Sequence, residues 1–264
     1  MGSRAPESVA SDQVETKEIM GSDSYISASG ASAQMRDLEV VANNLANVGT
    51  PGYKRSESIF RAVLESELRS VDGERVGGAP ATAFVSTDLV GSDFSRGPAQ
   101  HTGARLHAMI DGPGFFEVST PNGPRYTRAG NFIVNRDGEL STPNGDPVQG
   151  EGGSIEVTDG TARIDQTGSI VGSQGNVLGR LKVTDFDNPQ LIEREGRSLY
   201  RAPEEAGLRV IDRNQFTPGS IEGSNVEASR ELATMVMLQR AFETNIRAMQ
   251  TDDETTQRLI EGLR

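Results

Sequence analysis

The chain has no cysteine and no tryptophan, and only two histidines among its 264 residues. Without cysteine there is no disulfide framework and no thiolate nucleophile, and redox usage says nothing about compartment. Aromatic residues make up only 5% of the chain, which suits a large hydrophobic catalytic pocket poorly. No apolar run approaches the roughly 20 residues needed to cross a bilayer. The opening MGSRAPESVASDQVETKE lacks the apolar core of a secretory signal. It reads as a disordered extension over residues 1–24 of a soluble protein with no cleavable address. Basic residues are outnumbered 26 to 38, for a net charge of −12. That balance argues against a nucleic-acid surface and against electrostatic docking on anionic lipid.

Glycine, by contrast, is abundant at 30 residues, which suits many turns between short strands. Residues 109–216 read as a β-rich domain. Asn122-Gly123, Asp137-Gly138 and Asn144-Gly145 are hairpin signals between short β-forming runs. Phe132-Ile133-Val134, Ile155-Glu156-Val157 and Leu181-Lys182-Val183 offer strand-forming runs in the same region. The two ends follow a helical period instead. Ala28, Ala31, Met35, Leu38, Ala42 and Leu45 form a small-residue heptad seam over residues 25–60. Residues 217–264 carry a longer one through Leu232, Met235, Gln239, Phe242, Ile246 and Met249 to Leu263. Between them, 61–108 reads as an extended connector that starts helically at Phe60, Val63, Leu64 and Leu68 and holds a strand or two near Ala83-Phe84-Val85. The expected fold class is α+β, with long N- and C-terminal helices paired as a coiled-coil-like core and a mainly antiparallel β domain inserted between them.

Residues able to do chemistry are sparse. His101 and His107 have no third ligand at a metal-binding spacing. Gly112-Pro113-Gly114 is a turn, not a phosphate cradle. Asp252-Asp253-Glu254 are the densest carboxylates. Paired acids can cleave glycosides, but three adjacent acids on a long helix are more simply a solvated face. The expectation is no enzyme, no cofactor and no metal site.

Ala42 to Arg55, ANNLANVGTPGYKR, poses a different problem. Three asparagines fall within five residues, each costing up to about 0.7 kcal/mol relative to alanine inside a helix. Gly49, Thr50 and Pro51 end the helix, which accounts for Asn47 but not for Asn43 and Asn44. Asn43 and Asn47 share a face, so they are expected to hydrogen-bond a partner helix or an adjacent subunit and set register.

The same stretch resembles the N-terminal signature of bacterial flagellar rod and hook proteins. Three further blocks agree in order. Asp111-Gly112-Pro113-Gly114-Phe115-Phe116 resembles the family's central element, and Tyr126 to Phe132 the strands that follow it. Ser224-Asn225-Val226-Glu227 with Gln239 to Asn245 resembles the C-terminal signature. The resemblance implies a non-enzymatic subunit of the hollow axial rod, exported through the flagellum's own type III apparatus without a cleaved signal. It implies partners in other copies of the chain and in neighbouring rod proteins including the distal rod, with no nucleic acid and no small-molecule substrate. It also implies assembly contacts at Asn43, Asn44, Leu45, Asn47, Tyr53, Gln239, Arg240, Phe242, Asn245 and Met249. Pro147 to Gly153, Leu178 to Val183 and Ile221 to Val226 resemble the proximal rod member. The complete Asn43 to Asn47 block and Tyr53-Lys54 are closer to the distal one. Phe242 stands where the family commonly has tyrosine.

Overall fold

The computed structural model describes residues 28, 30–63, 84–158, 160–211 and 215–262. The expected extension over residues 1–24 lies outside them, as do Leu64, Leu68 and Leu263. The chain divides into two compact units. One combines residues up to 42 with 58–90 and 229 onward; the other combines 43–57 with 91–228.

The second unit is antiparallel β throughout its described strands, and it is built on two adjacent phenylalanines. Strand Phe115–Thr120 turns back into Gly123–Thr127 through Pro121-Asn122, with Phe116 opposite Thr127 and Thr120 opposite Gly123. Side chains alternate across a strand, so Phe115 and Phe116 enter different cores. Phe116 packs with Ile110, Val118, Phe132, Leu140, Ile170, Leu181 and Phe216. Phe115 joins Tyr126, Phe186 and Tyr200 on the other side, 5.5 Å from the ring of Phe94 and 5.8 Å from that of Tyr200. The few aromatics are thus concentrated where the sheet is covered on both faces. The full sheet runs Glu193–Glu195, Leu199–Arg201, Gly123–Thr127, Phe115–Thr120, Val183–Phe186, Leu208–Val210.

Beside it, short ribbons are joined by one repeated turn. In each, the first residue's N–H donates to the carbonyl four residues on, and a glycine N–H three residues on donates back to the first residue's carbonyl. The glycines are Gly138, Gly145, Gly168 and Gly175, all at positive φ between 79° and 95°. This is the three-residue hairpin with a left-handed glycine closing it. The Asp137-Gly138 and Asn144-Gly145 signals mark two of the four. Thr167-Gly168 and Gln174-Gly175 lack the Asn or Asp that makes such a turn legible.

The chain then returns through two short antiparallel pairs. Gln215–Pro218 lies on Ala108–Asp111 and Ser220–Glu222 on Ala99–His101. These pairings bring residues 220–226 beside 93–101, which positions the site described below.

The helical unit requires a correction. The described residues are mainly antiparallel β and contain only two α-helices, over 30–46 and Ala228–Gly262. No coiled-coil pair of long N- and C-terminal helices is present among the described residues. Of the expected seams, Met35 is 56% exposed and Leu232 49%, with Ala42 and Gln239 also exposed. The side-chain hydrogen bond joining the helices runs from Asn245 Nδ2 to Gln34 Oε1 at 3.0 Å; it is polar, not a knob in a hole. The physical reason lies in the distribution of apolar residues. Met235, Val236, Met237 and Leu238 are consecutive, so they wrap around the helix and do not line one seam, and Met237 is left 65% exposed. The expected helical start at Phe60 and Val63 is also corrected. Ser56–Val63 is a strand paired with Phe84–Ser92.

Candidate functional site

In the second unit the ANNLANVGTPGYKR loop folds onto the segment that leads into the C-terminal helix. The asparagines organise the loop itself. Asn44 is fully buried. Its Oδ1 accepts from the Ser56 N–H at 2.8 Å and its Nδ2 donates to the Ser56 carbonyl at 2.9 Å, so one side chain stands in for a β-bridge partner. The Tyr53 hydroxyl lies 2.9 Å from Asn43 Oδ1 and 3.0 Å from Asn44 Oδ1. Asn47 Nδ2 donates to the Asn43 carbonyl at 2.8 Å, and the Thr50 hydroxyl donates to Asn47 Oδ1 at 3.1 Å. These bonds of Asn43 and Asn47 run within the helix end and to the loop it begins. Gly52 sits at φ +67°, and a Cβ there would come within 2.2 Å of the Ala129 nitrogen. No other residue fits that turn.

Behind Tyr53 stands a stack. The Arg194 guanidinium lies 4.2 Å from the Tyr53 ring centroid and 5.3 Å from that of Tyr200. Arg194 also donates to the Lys54 carbonyl and to Ser92 Oγ at 3.3 Å. A cation over two desolvated rings is favourable by about 2 kcal/mol or more. The raised Tyr200 phenol, pushed up to about 12 by burial, stays neutral beside it.

The next residue carries the charge. Lys54 is fully buried and faces Glu222, 168 residues away in sequence, at 2.6 Å. Lys54 Nζ also donates to the Ser95 carbonyl at 2.6 Å. Glu222 Oε1 accepts a second bond from the Gly97 N–H at 2.9 Å, and Oε2 lies 3.4 Å from Arg128 Nε. Burial pulls the Lys54 ammonium below its ordinary range, and the Glu222 carboxylate opposes that pull. Arg128 is lowered by burial in the same way, again with Glu222 opposing. A pair this dry costs desolvation whatever its geometry. Its clear effect is specificity, since either charge left alone would be expensive.

Backbone bonds complete the clasp. The Gly52 N–H donates to the Glu222 carbonyl at 2.8 Å. Asn225 Oδ1 accepts from the Arg55 N–H at 2.6 Å, and its Nδ2 donates to the Asp93 carbonyl at 2.9 Å. Residues 52–55, 93–97 and 222–225 thus form one knot.

Of the sequence-predicted contact residues, Asn43, Asn44, Asn47 and Tyr53 meet here, with Leu45 half-buried on the same helix end. Gln239 and Arg240 are exposed on the C-terminal helix, and Phe242, Asn245 and Met249 are half-buried. Lys54, Glu222, Arg128, Arg194 and Asn225 were not anticipated as site residues. The available signal was a lysine ending the N-terminal signature block and a glutamate two residues before the C-terminal one. His101 and His107 each bond a hydroxyl, of Ser220 at 3.3 Å and Thr102 at 2.8 Å. Glu254 is exposed and paired to Arg258 at 3.7 Å, a solvated face. The side chains of Asp252 and Asp253 lie outside the description.

Comparison with known proteins agrees along the chain. Residues 25–54 match the flagella basal body rod protein family, residues 109–179 the D1 domain of flagellar hook protein FlgE/F/G, and residues 217–261 the C-terminal region of flagellar basal body rod FlgEFG proteins. The chain is 31% identical over 241 residues to the flagellar basal-body rod protein FlgF of Caulobacter vibrioides, covering 89% of this chain and 96% of that protein. It is also 31% identical over 255 residues to the flagellar basal-body rod protein FlgG of Bacillus subtilis, covering 89% and 97%.

Proposed function

The chain belongs to the flagellar basal-body rod protein family, and from that membership we propose that it is a structural subunit of the rod, polymerised into the axial shaft that carries motor torque to the hook. The observation that carries this reading is the clasp. The two signature segments, from opposite ends of the chain, close on each other through Lys54 and Glu222 and through Gly52, Arg55 and Asn225. A drive-shaft subunit has to transmit load between its ends without unzipping, and a dry charged knot resists that.

The basal body is where such a subunit works, and its partners are other copies and neighbouring rod proteins. The finer reading is of a non-catalytic chain delivered by the flagellar type III export apparatus without a cleaved signal. Contacts through Gln239, Arg240, Phe242 and Met249 would engage neighbouring subunits, supported by their partial or full exposure. The proximal position is favoured by the Pro147 to Gly153, Leu178 to Val183 and Ile221 to Val226 blocks. A distal position is the second reading, favoured by the complete Asn43 to Asn47 block.

Replacing the chromosomal gene with one ending at residue 231 tests the assignment. Loss of the protein from isolated basal bodies, with loss of swimming, is expected. Normal rods would contradict it. Density for the subunit next to the hook in a basal-body map would move the assignment to the distal rod.

A further inference from the structure

The signature loop also forms one wall of a polar cavity of about 280 Å³. Its other walls come from the Thr142-Pro143-Asn144 turn and from Arg197, Ser198 and Leu199. Thr50, Asn131, Asn144 and Ser198 are among its lining residues, and Arg197 is the only charged one among the described residues. Arg197 is exposed. Its carbonyl accepts from Arg194 Nη1 at 3.2 Å, but its guanidinium makes no ion pair or hydrogen bond among the described residues. The nearest acid on that turn, Asp146, is held by the Thr142 hydroxyl at 3.2 Å and does not line the cavity. A cavity whose one charged lining residue among those described is the unpaired Arg197, on a chain of net charge −12, is complementary to a carboxylate.

The same unit presents a matching acid pair. Glu204 and Glu205 are adjacent and exposed on the short turn Glu204–Ala206, and neither carboxylate has a cation among the described residues. The turn is rigid. Ala206 is fully buried, and its carbonyl accepts from the Asn188 N–H at 3.0 Å. The Gly207 carbonyl accepts from Asp187 at 3.0 Å. The cavity lies at the start of strand Leu199–Arg201 and the acid turn follows its end. Two different patches that meet between copies join them head to tail, which yields rings or helical filaments.

We infer that the cavity beside the signature loop receives the Glu204-Glu205 turn of a second copy, with Arg197 pairing the incoming carboxylates. The pairing deepens the rod-subunit reading and rests on it. Complementary charges fix which patch meets which, more than they add affinity.

The absence of cysteine makes a direct test clean. Chains carrying Arg197→Cys and chains carrying Glu204→Cys are expressed together in cells lacking the native gene, and isolated basal bodies are oxidised. A disulfide-linked dimer is expected from that mixture and not from Arg197→Cys mixed with Asp137→Cys, another exposed acid. Charge reversal provides the second arm. Arg197→Glu or Glu204→Lys/Glu205→Lys should each lower incorporation at least about tenfold, a difference of about 1.4 kcal/mol, and the three together should restore it. Melting temperatures should not change, because all three side chains are exposed and unbonded. If wild-type chain is absent from basal bodies, the rod reading itself fails. If it is present but no dimer forms and the reversals incorporate normally, the pairing alone is overturned.

Discussion

The clasp and the C-terminal helix are both signature regions, yet they differ in every physical respect. In the clasp, Lys54, Glu222, Asn44 and Tyr53 are buried to within 1%, and the Gly52, Arg55 and Ser56 amides are committed to partners in the same chain. Along the helix, Leu232, Val236 and Met237 stand 47–65% exposed, and Asn245 meets Gln34 of the first helix through one amide pair. A motif shared by a family can therefore close a chain on itself or leave side chains available to others. Spacing alone does not say which.

Breaking the clasp's charge pair should give the largest effect. Lys54→Met strands a buried carboxylate and should lower unfolding free energy by about 3–5 kcal/mol, measured by urea denaturation. Lys54→Met with Glu222→Gln should recover only part of that loss, because the buried Arg128 then loses its carboxylate. If the single change is neutral, the buried pair is not holding the two segments. Tyr53→Phe comes next. It removes the hydroxyl shared by two asparagine oxygens, at a cost of about 1–3 kcal/mol, checked in the same assay. The helix should respond differently. Phe242→Ala is only half-buried and should cost less than the roughly 3–5 kcal/mol of a core phenylalanine, while basal-body incorporation falls sharply. A full core-sized loss would erase the contrast.

The smallest effect is a pH dependence. The Thr217 hydroxyl, with Arg96 adding to it, holds the Asp111 carboxyl below its ordinary 3.8. A depressed carboxyl contributes stability above its unfolded value and loses it as pH falls through the folded one. Acid titration of stability should therefore lose part of its slope below about pH 4 in Asp111→Asn, and an unchanged slope would remove Asp111 from the account.

The β unit was legible where the physics is local. Asp137-Gly138 and Asn144-Gly145 mark turns because few other residues adopt positive φ. Ile155, Glu156 and Val157 alternate buried, exposed, buried, as their chemistry dictates. Gly168 and Gly175 close the same turn with no Asn or Asp before them, so nothing local distinguishes them from flexible linkers. The paired helices were misread because 3–4 spacing can be traced through any dense apolar run, and 235–238 is such a run. The contacts Asn43 and Asn44 make within the chain were not legible, because a helix period cannot show that the chain doubles back nine residues later to place Tyr53 against them. Lys54 and Glu222 are separated by 168 residues, and only the fold reveals that each is the other's partner.

The central claim is that one chain completes the clasp by itself while the C-terminal helix is left open. Hydrogen exchange on dilute monomer tests it most directly. The Gly52, Arg55, Ser56 and Gly97 amides, bonded to Glu222, Asn225, Asn44 and Glu222, should exchange only through near-global opening, whereas amides over 232–250 should exchange through local opening. Clasp amides exchanging as fast as those of the helix would contradict the account.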